Sequence, residues 1–444
     1  MTDLTLISLP YGASIDELCS QLVDLPGFVV LESGPQTSGR YDLITAMPYD
    51  EMKVMPDDAV NLTQACEALA KKLALVPSRG DCPFQGGAIG YVTYDLGARE
   101  AGVYSTPHPP LAHLPLMHMR FYDWAIMVDH HQKTTQLMMA HHQKNTPKIV
   151  ADVLERIAQA RVPATSFQLT SAFRPLMSTL AYQRSFAAIH EALRQGRVYQ
   201  VNFTQMFSAD YRGDAWAMYQ QIREKNPVPF SVFWRDADVD LLSFSPERLL
   251  LMDDRRILTS PIKGTQRRSA DPLVDAQLQI LLQNSAKNRA ENIMIVDLLR
   301  NDLGRFAEVG SVSVTSLCEL MSFTAVHHLV SHIEAMAPPK LHPVMAFANC
   351  FPGGSITGAP KREAMRIIGE QEPFGRGVYC GSMGYFSLHG RMDLNIAIRT
   401  ITATPDQVFM AAGGGIVFDS DCEEEYRECY IKIQAILRAL GLDF

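Results

Sequence analysis

The sequence lacks several features that mark whole classes of protein. None of its 8 cysteines forms a C-x-x-C pair, which excludes zinc ribbons and thioredoxin-like motifs and indicates free thiols in a reducing cytosol. Lysine and arginine number 40 against 48 acidic residues, so neither nucleic acid nor an anionic membrane is expected as a main partner. No apolar run reaches the roughly 18 residues of a membrane span. The first residues contain no basic segment of a signal peptide, and we expect a cytoplasmic protein.

The chain divides into two parts of different character. Its 444 residues are enough for two to four domains, and they show no fixed repeat. The first part mixes short β-rich runs with turns, and segment 144–178 contains one predicted helix at 149–161 and then reads as a connector. We therefore predict one domain at 1–165 and a second at 176–444, with intertwined sheets.

The second part mixes helices and strands without strict alternation, which favours an α+β fold over a doubly wound one. Apolar spacing and stop signals predict helices at 182–196, 272–305, 361–371 and 423–439, and strands at 199–207 and 408–417.

A lysine in a tight, partly apolar turn is the first candidate for chemistry. Lys263 stands in P-I-K-G-T, and Glu247 in S-P-E-R precedes it. Burial lowers the pKa of a lysine, and an unprotonated amine is a nucleophile or a base. Glu247 follows an apolar strand, where a raised pKa would let it act as an acid. The alternative is a surface lysine and a glutamate paired with Arg248.

Carboxylates recur on the predicted helices. Glu291 shares one helical face with apolar residues, so it needs a cation, a metal or a proton, or else a salt bridge to Lys287. Glu425, Glu428 and Lys432 also share a face, as i, i+3 and i+7. Two carboxylates beside a lysine suit a hard cation, and a solvated charged face is the alternative.

Two glycine-rich segments offer backbone amides to an anion. P-G-G-S-I-T-G-A-P-K resembles a P-loop, but Ala359 and Pro360 separate the second glycine from Lys361 and no Ser or Thr follows. A nucleotide triphosphate site is therefore rejected, and an anion-binding turn or a plain helix cap is left. A-A-G-G-G-I-V places three glycines inside a strand, which indicates close approach of a ligand, or a β-bulge.

An arginine and a pair of histidines are the remaining candidate site residues. Arg399 alternates out of an apolar strand in the manner of a carboxylate clamp. His327 and His328 lie in an apolar stretch, where a core histidine with a satisfied hydrogen bond is the alternative.

Together these motifs resemble those of the chorismate-utilising enzyme family. Their order is S-P-E-R, P-I-K-G-T, A-E-N-I-M-I-V-D-L, H-L-V-S, the P-G-G-S segment, G-x-x-G-Y, the arginine strand, G-G-G-I-V and E-x-x-x-E-x-x-x-K. The resemblance covers nearly the whole chain. It implies an α/β/β/α sandwich, like that of anthranilate synthase component I, with two large antiparallel sheets and the active site between them.

The resemblance also implies roles for individual residues. Glu291 and Glu428 match the carboxylates that hold Mg²⁺ against the ring carboxylate of chorismate, and Glu425 would support the metal through water. Tyr379 and Arg399 match the clamp on the enolpyruvyl carboxylate. His328, rather than His327, fits the position near the departing hydroxyl. The other implied substrate contacts are Gly413, Gly414, Gly415, Lys432, Ser355, Thr357, Gly264 and Thr265.

Lys263 separates the branches of this family. Anthranilate synthases have a small residue at this position, whereas members that make 4-amino-4-deoxychorismate have P-I-K-G-T. There the lysine amine attacks ring C2, Glu247 acts as the acid, and ammonia then attacks C4. Isochorismate synthases also have a lysine, acting as a base toward water. We expect amination, with isochorismate synthase and anthranilate synthase as alternatives.

The chain shows no glutaminase constellation, because no cysteine lies in a G-x-C-x-G elbow with a downstream H-x-E. By resemblance, a separate glutamine amidotransferase subunit would supply ammonia. The first part also resembles the tryptophan-binding region of anthranilate synthases. The resemblance implies a tryptophan site there, which is either a regulatory site, a structural site or an evolutionary relic. A tryptophan-sensing subunit without activity is a further alternative. The expected tryptophan residues are Glu32, Ser33, Arg40, Asp42, Pro227 and Phe230.

Overall fold

The structure is a computed structural model that describes residues 4–12, 15–34, 39–159, 165–323 and 326–442. Within these ranges the helices are α1 Ile15–Leu22, α2 Leu62–Lys72, α3 Tyr94–Ala98, α4 Thr146–Ala158, α5 Thr179–Arg194, α6 Ala215–Lys225, α7 Pro272–Gln283, α8 Ala286–Gly304, α9 Pro343–Cys350, α10 Lys361–Gln371 and α11 Cys422–Ala439. Short 3₁₀ helices lie at Arg99–Ala101, Pro109–Leu111 and Gly354–Ile356. No helix in these ranges is long and apolar enough to cross a membrane.

The strands of the described residues, in chain order, are β1 Thr5–Leu9, β2 Val29–Glu32, β3 Tyr41–Thr45, β4 Asp50–Val54, β5 Gly87–Val92, β6 Met117–Tyr122, β7 Trp124–Asp129, β8 Thr134–Met139, β9 Phe167–Leu169, β10 Arg174–Pro175, β11 Gln200–Gly213, β12 Phe230–Arg235, β13 Asp240–Ser245, β14 Arg248–Asp253, β15 Arg256–Ser260, β16 Ile262–Arg267, β17 Ser313–Ser322, β18 Val326–Met336, β19 Gly358–Ala359, β20 Ser382–Ser387, β21 Met392–Asn395, β22 Thr400–Ala403 and β23 Gln407–Ile416.

These strands form two large sheets. The 13-stranded sheet has the order β1-β8-β7-β3-β2-β12-β13-β22-β23-β11-β10, with β9 and β19 on β11. The 10-stranded sheet has the order β16-β18-β15-β14-β21-β20-β5-β6-β4, with β17 on β18. The pairings are antiparallel. Helices such as α11 on β23 and α8 on β18 cover the sheets from outside, and the predicted α+β sandwich is confirmed.

Both sheets combine strands from the two parts of the sequence. In the larger sheet Glu32 of β2 pairs with Ser231 of β12. In the smaller sheet Ala88 of β5 pairs with Phe386 of β20. Central strands such as β5, β6 and β20 are buried along their whole length, because both of their faces are covered by protein. The first part of the chain therefore lies directly beside the strands that carry the second part's motifs.

The structure refines three predicted elements. The segment 272–305, predicted as one or two helices, forms two, since Asn284 ends α7 and the hydroxyl of Ser285 caps α8 by accepting from the N–H of Asn288 at 3.3 Å. The predicted connector after 161 is not wholly irregular, because β9 and β10 pair with the long strand β11. Helix α10 has the predicted bounds, with Pro360 immediately before it.

Candidate active site

Lys263 lies on β16 at the centre of the candidate site. Its amine donates a hydrogen bond to the backbone carbonyl oxygen of Ser355 at 3.3 Å. Burial lowers the pKa of Lys263, and the positive charge of Lys432 lowers it further, while neighbouring carboxylates oppose this shift. The amine therefore holds its proton less tightly than an ordinary lysine does.

A bulge sets the position of this lysine. The pairing between β16 and β18 shifts at Gly264, between Lys263 and Thr265. Gly264 has a φ of +83°, and a Cβ there would lie 3.1 Å from side-chain atoms of Asn288 and Leu282. Glycine is required at this point because both the backbone conformation and the contact with α7 and α8 exclude a side chain.

His328 lies on the strand that pairs with β16. The hydroxyl of Thr265 and Nδ1 of His328 are hydrogen-bonded at 2.9 Å. Burial lowers the pKa of His328 to about 4, and the positive charge of Arg399 contributes, so the imidazole is neutral near pH 7. His327 is bonded elsewhere, with its Nε2 at 3.0 Å from a carboxylate oxygen of Asp275. The two histidines thus have different partners, and the role assigned to His328 stays a prediction.

Glu247 follows β13 and is 5% exposed. Burial raises the pKa of its carboxyl, and the positive charge of Lys263 partly opposes this effect. Among the described residues neither Oε1 of Glu247 nor Oγ of Ser355 has a hydrogen-bond partner. Arg248 pairs with Asp393 at 2.8 Å, so the alternative pairing with Glu247 is not formed. The Ser355 side chain and the backbone of Ile262 also oppose the rise, but burial prevails, so the carboxyl is suited to carry a proton.

The glycine-rich loop before α10 forms one wall of the site. Ser355 lies in its 3₁₀ turn beside Lys263. The hydroxyl of Thr357 instead donates to the carbonyl oxygens of Gly353 at 3.0 Å and Gly354 at 3.3 Å. Thr357 thus shapes the loop internally, whereas Ser355 presents its backbone carbonyl oxygen to the lysine.

Helix α11 and strand β23 bring the predicted anion and metal groups together. The amine of Lys432 lies 2.6 Å from the carboxylate of Glu428 and donates to the carbonyl oxygen of Gly413 at 2.7 Å. A Cβ on Gly414 would lie 2.5 Å from an oxygen of Glu425 and 3.1 Å from one of Glu428. A side chain at 414 would therefore displace these two carboxylates, and Gly413 and Gly415 continue this strand beside β11.

The two neighbouring carboxylates differ in their proton affinity. Burial and the charge of Glu428 raise the pKa of Glu425, whose other oxygen accepts from the hydroxyl of Ser420 at 2.8 Å. Burial also acts on Glu428, but the amine of Lys432 outweighs it and holds the pKa of Glu428 below its usual value. A cation between them would relieve the repulsion that raises the pKa of Glu425.

The predicted metal carboxylates come from two helices. Glu291 on α8 and Glu428 on α11 both act electrostatically on Lys263, and Lys287 forms no ion pair with Glu291. Within the described residues no three His, Cys, Asp or Glu side chains converge as a metal-ligand group. Magnesium is commonly held by one or two carboxylates, with water and substrate oxygens completing the shell. Glu428, with Glu425 beside it on α11, fits that mode and does not fit an all-protein cage, and the pairing of Glu428 with Glu291 stays a prediction.

Tyr379 and Arg399 lie on irregular backbone at the ends of β20 and β22. Arg399 has a φ of +52°, and Cys380 beside Tyr379 has a φ of +61°, both in the left-handed region that favours glycine. Burial lowers the pKa of Arg399, and the carboxyl of Glu247 opposes this. Within the described residues no carboxylate lies within ion-pair distance of Arg399. The nearby arginines Arg248, Arg376 and Arg391, in contrast, each form an ion pair. Its charge is available to an anionic ligand.

The residues of the expected tryptophan site are only partly brought together. The carboxylate of Asp42 accepts from the N–H of Ser33 at 2.7 Å and lies 2.6 Å from Nε2 of His130. Glu32 is bonded to Tyr219 and Arg223. Burial raises the pKa of Glu32 to about 7.

The other residues of that set lie apart from this carboxylate network. The guanidinium of Arg40 pairs with Asp129 at 2.9 Å and Asp81 at 3.2 Å. Phe230 begins β12, where the guanidinium of Arg248 lies 4.8 Å from its ring centroid, and Pro227 lies in the preceding loop. Arg40 is nevertheless linked to Asp42 through His130, whose N–H donates to the carbonyl oxygen of Arg40 at 2.9 Å.

Sequence reasoning missed one buried ion pair beside the site. The amine of Lys361 lies 2.5 Å from the carboxylate of Asp302, which is 1% exposed, and also donates to the carbonyl oxygen of Cys350 at 3.4 Å. The pair ties the end of α8 to both ends of the loop that carries Ser355. The sequence signal for this pair is Lys361 itself, at the end of P-G-G-S-I-T-G-A-P-K. The P-loop comparison tested this lysine only as a ligand for a nucleotide.

Comparison with known proteins shows which family the chain belongs to. The model of the chorismate binding enzyme family matches residues 27–438. The chain belongs to this family, and the predicted resemblance is confirmed. Aminodeoxychorismate synthase component 1 of Escherichia coli (strain K12) is 42% identical over 440 residues, which cover 95% of each chain. Its Salmonella typhimurium counterpart is 41% identical over 454 residues, or 98% of each chain.

A solved structure shows the same fold. Anthranilate synthase component I from Streptococcus pneumoniae TIGR4 superposes with a TM-score of 0.80 at 28% identity, over 90% of this chain and 92% of that one. The menaquinone-specific isochorismate synthase MenF from Escherichia coli superposes with a TM-score of 0.76 at 18% identity, over 99% of this chain and 94% of that one, and shares the fold.

Proposed function

We propose that this chain is the chorismate-aminating subunit of a glutamine-dependent enzyme. It converts chorismate and ammonia to 4-amino-4-deoxychorismate, the precursor of p-aminobenzoate in folate biosynthesis. The observation that carries the proposal is the amine of Lys263, whose pKa is lowered by burial and which lies beside the protonatable Glu247. Relatives of nearly equal length named aminodeoxychorismate synthase component 1 support it.

The proposed reaction has two substitutions. The amine of Lys263 attacks ring C2, the two conjugated ring double bonds shift toward C4, and the C4–O bond breaks as Glu247 gives its proton to the departing hydroxyl. Glu247 then takes up the proton that the lysine nitrogen releases. Ammonia attacks C4, the two double bonds shift back, and the C2–N bond breaks as Glu247 returns the proton to the lysine nitrogen. The new ammonium group at C4 then gives one proton to Glu247, which restores the acid. The net change is chorismate plus ammonia to aminodeoxychorismate plus water, with the enolpyruvyl group retained.

Substrate binding relies on charges that the structure leaves available. Arg399 and Tyr379 bind the enolpyruvyl carboxylate, and the neutral imidazole of His328 faces the region of the departing hydroxyl. Lys432 and the backbone of the glycine strand complete the site. A bound Mg²⁺, held by Glu291 and Glu428 with Glu425 acting through water, would supply the positive charge that the ring carboxylate needs.

The ammonia comes from a second protein. The chain contains no cysteine in a nucleophile elbow with a downstream H-x-E, so it has no glutaminase chemistry of its own. A separate glutamine amidotransferase subunit would hydrolyse glutamine and deliver ammonia. The designation of the relatives as component 1 supports a two-component enzyme.

Tryptophan binding by the first part stays a prediction. An amino acid ligand needs a carboxylate to receive its ammonium group. Glu32 is already paired with Arg223, and Asp42 lies against His130. A ligand there would have to displace or share these partners.

A product assay tests the proposed function. The pure chain is incubated with chorismate, Mg²⁺ and ¹⁵N-ammonium, and the products are separated by liquid chromatography with mass detection. The expected product contains the labelled nitrogen, retains the enolpyruvyl group, and is converted to p-aminobenzoate by a lyase. An unlabelled isomer of chorismate would show that water is the nucleophile, and fluorescent anthranilate would show amination at C2. Either result would overturn the proposal.

A further inference from the structure

One contact reaches from the first part of the chain into the segment that carries Tyr379. Asp95 lies in the first turn of α3, immediately after β5. Its carboxylate accepts hydrogen bonds from the backbone N–H of Arg376 at 3.2 Å and of Gly377 at 2.7 Å. The N–H of Tyr94 donates in return to the carbonyl oxygen of Gly377 at 3.1 Å. The start of α3 therefore holds this backbone by both its donor and its acceptor groups.

The segment is fitted closely to that carboxylate. A Cβ on Gly375 would lie 2.9 Å from both oxygens of Asp95, so a side chain there would displace the carboxylate from its present position. Gly377 has a φ of +60°, which turns the chain toward Tyr379 two residues later. Residues 372–381 contain no helix or strand, so the path of this stretch depends on such individual contacts.

The opposite side of the segment is anchored to the second part of the chain. The guanidinium of Arg376 pairs with Glu372 at 2.6 Å and donates to the carbonyl oxygens of Ile356 at 2.8 Å and Asn202 at 2.6 Å. Ile356 directly follows Ser355, the partner of Lys263. The segment therefore spans from a first-part carboxylate to the wall of the candidate active site.

We propose that Asp95 is a positioning residue for chorismate binding, acting by fixing the backbone that orients Tyr379. The inference rests on the proposed function, since Tyr379 is assigned there to the enolpyruvyl carboxylate. Misplacement of a binding group by about 1 Å costs on the order of 100-fold in rate. The first part of the chain thus contributes to the chorismate site through its own side chain and not only by completing the sheets.

Asp95→Asn and a matched control test the proposal. Asparagine keeps the size and one acceptor oxygen but cannot accept from both N–H groups as a carboxylate does. The control is Asp123→Asn, because the Asp123 carboxylate also accepts two backbone N–H groups, of His142 at 3.0 Å and Gln143 at 2.9 Å, at the entry to α4. We expect kcat/KM for chorismate to fall on the order of 10- to 100-fold in Asp95→Asn, mainly through KM, and to stay unchanged in Asp123→Asn.

A double-mutant cycle separates positioning from general weakening. In a Tyr379→Phe background, Asp95→Asn should have much less effect on kcat/KM than in the wild type, because both changes remove the same contact. Gly375→Ala, which pushes on the carboxylate from the other side, should give the same raised KM and the same coupling. Full additivity with Tyr379→Phe, or equal losses in Asp95→Asn and Asp123→Asn, would overturn the proposal.

The cycle does not depend on the identity of the product. If the wild-type chain turned chorismate into something other than aminodeoxychorismate, the proposed function would fail, but the coupling would still be read from the KM for chorismate. Without any turnover, the four proteins of the cycle are compared by the calorimetric Kd for chorismate. These are the wild type, Asp95→Asn, Tyr379→Phe and the double variant. Coupling in that Kd would support the positioning role, and its absence would overturn it.

Discussion

The amine of Lys263 and the backbone carbonyl oxygen of Ser355 are joined by a hydrogen bond of 3.3 Å. The carbonyl orients the amine without giving it a proton, because a carbonyl can only accept. The lysine comes from a bulged strand of the smaller sheet, and the serine comes from the loop before α10. Any change that moves this loop therefore changes the lysine's only hydrogen bond within the described residues.

The pH dependence of amination should report the lowered pKa of Lys263. The amine reacts only when unprotonated, so kcat/KM should rise with pH and level off below the ordinary lysine value of 10.5. Lys432→Gln removes a like charge that lowers this pKa, so the inflection should move to higher pH. The profile is measured at a constant concentration of unprotonated ammonia.

A charge-matched control accompanies that profile. Lys225→Gln removes an amine that donates to the carbonyl oxygen of Ala439 at 3.0 Å and does not contribute to the pKa shift of Lys263. Its inflection should coincide with that of the wild type. A Lys432→Gln profile that stays in place or shifts to lower pH would contradict this account of the electrostatics.

Metal dependence should weaken when Glu428 loses its charge. Glu428→Gln removes one anionic oxygen ligand, so the Mg²⁺ concentration for half-maximal amination should rise more than about 10-fold. The titration is read from the activity and from calorimetric Mg²⁺ binding in the presence of chorismate. Glu423→Gln changes an exposed carboxylate at the start of the same helix and should leave the titration unchanged. Superimposable curves for the two variants would remove Glu428 as a ligand.

The buried ion pair between Lys361 and Asp302 should dominate the stability of the loop region. Lys361→Met leaves the nearly fully buried Asp302 without its cation and should cost about 3–5 kcal/mol in the free energy of unfolding. Arg300→Met breaks an exposed pair with Asp297 on the same helix and should cost less than about 1 kcal/mol. Urea denaturation of the three proteins measures both. Similar losses for the two variants would show that burial does not control the strength of this pair.

Glutamine-dependent activity should require a second protein. The pure chain should use ammonium but give no aminated product from glutamine, because it lacks a glutaminase nucleophile. Addition of a glutamine amidotransferase subunit should restore the use of glutamine. Aminated product from glutamine with the chain alone, after removal of contaminating ammonia, would refute the two-component proposal.

Local sequence signals predicted many of the elements but few of the contacts. Helix α10 has the predicted bounds because Pro360 precedes it and its apolar spacing is regular, and β11 and β23 follow from alternation and a glycine run. The roles of Glu247, Lys263 and Glu428 were implied by the order of motifs along the chain. Their spacing alone favoured a solvated face or a surface turn.

Contacts between distant residues could not be predicted in this way. Asp95 and Gly377 are 282 positions apart, and only the pairing of β5 with β20 brings them together. The partner of Lys361 lies 59 positions away, on a different helix. The inward turn of the Thr357 hydroxyl likewise depends on the loop's own backbone, which no residue spacing specifies.

The most direct test of the account is whether Lys263 becomes covalently attached to the substrate. The wild-type chain and Lys263→Ala are mixed with chorismate and Mg²⁺ without ammonia, quenched within milliseconds to seconds, and examined by intact-protein and peptide mass spectrometry. The account predicts a wild-type adduct of the mass of chorismate less water on the peptide that contains Lys263, no adduct in Lys263→Ala, and amination slowed on the order of 1,000-fold or more in that variant. Full amination by Lys263→Ala would contradict the nucleophilic role of the lysine.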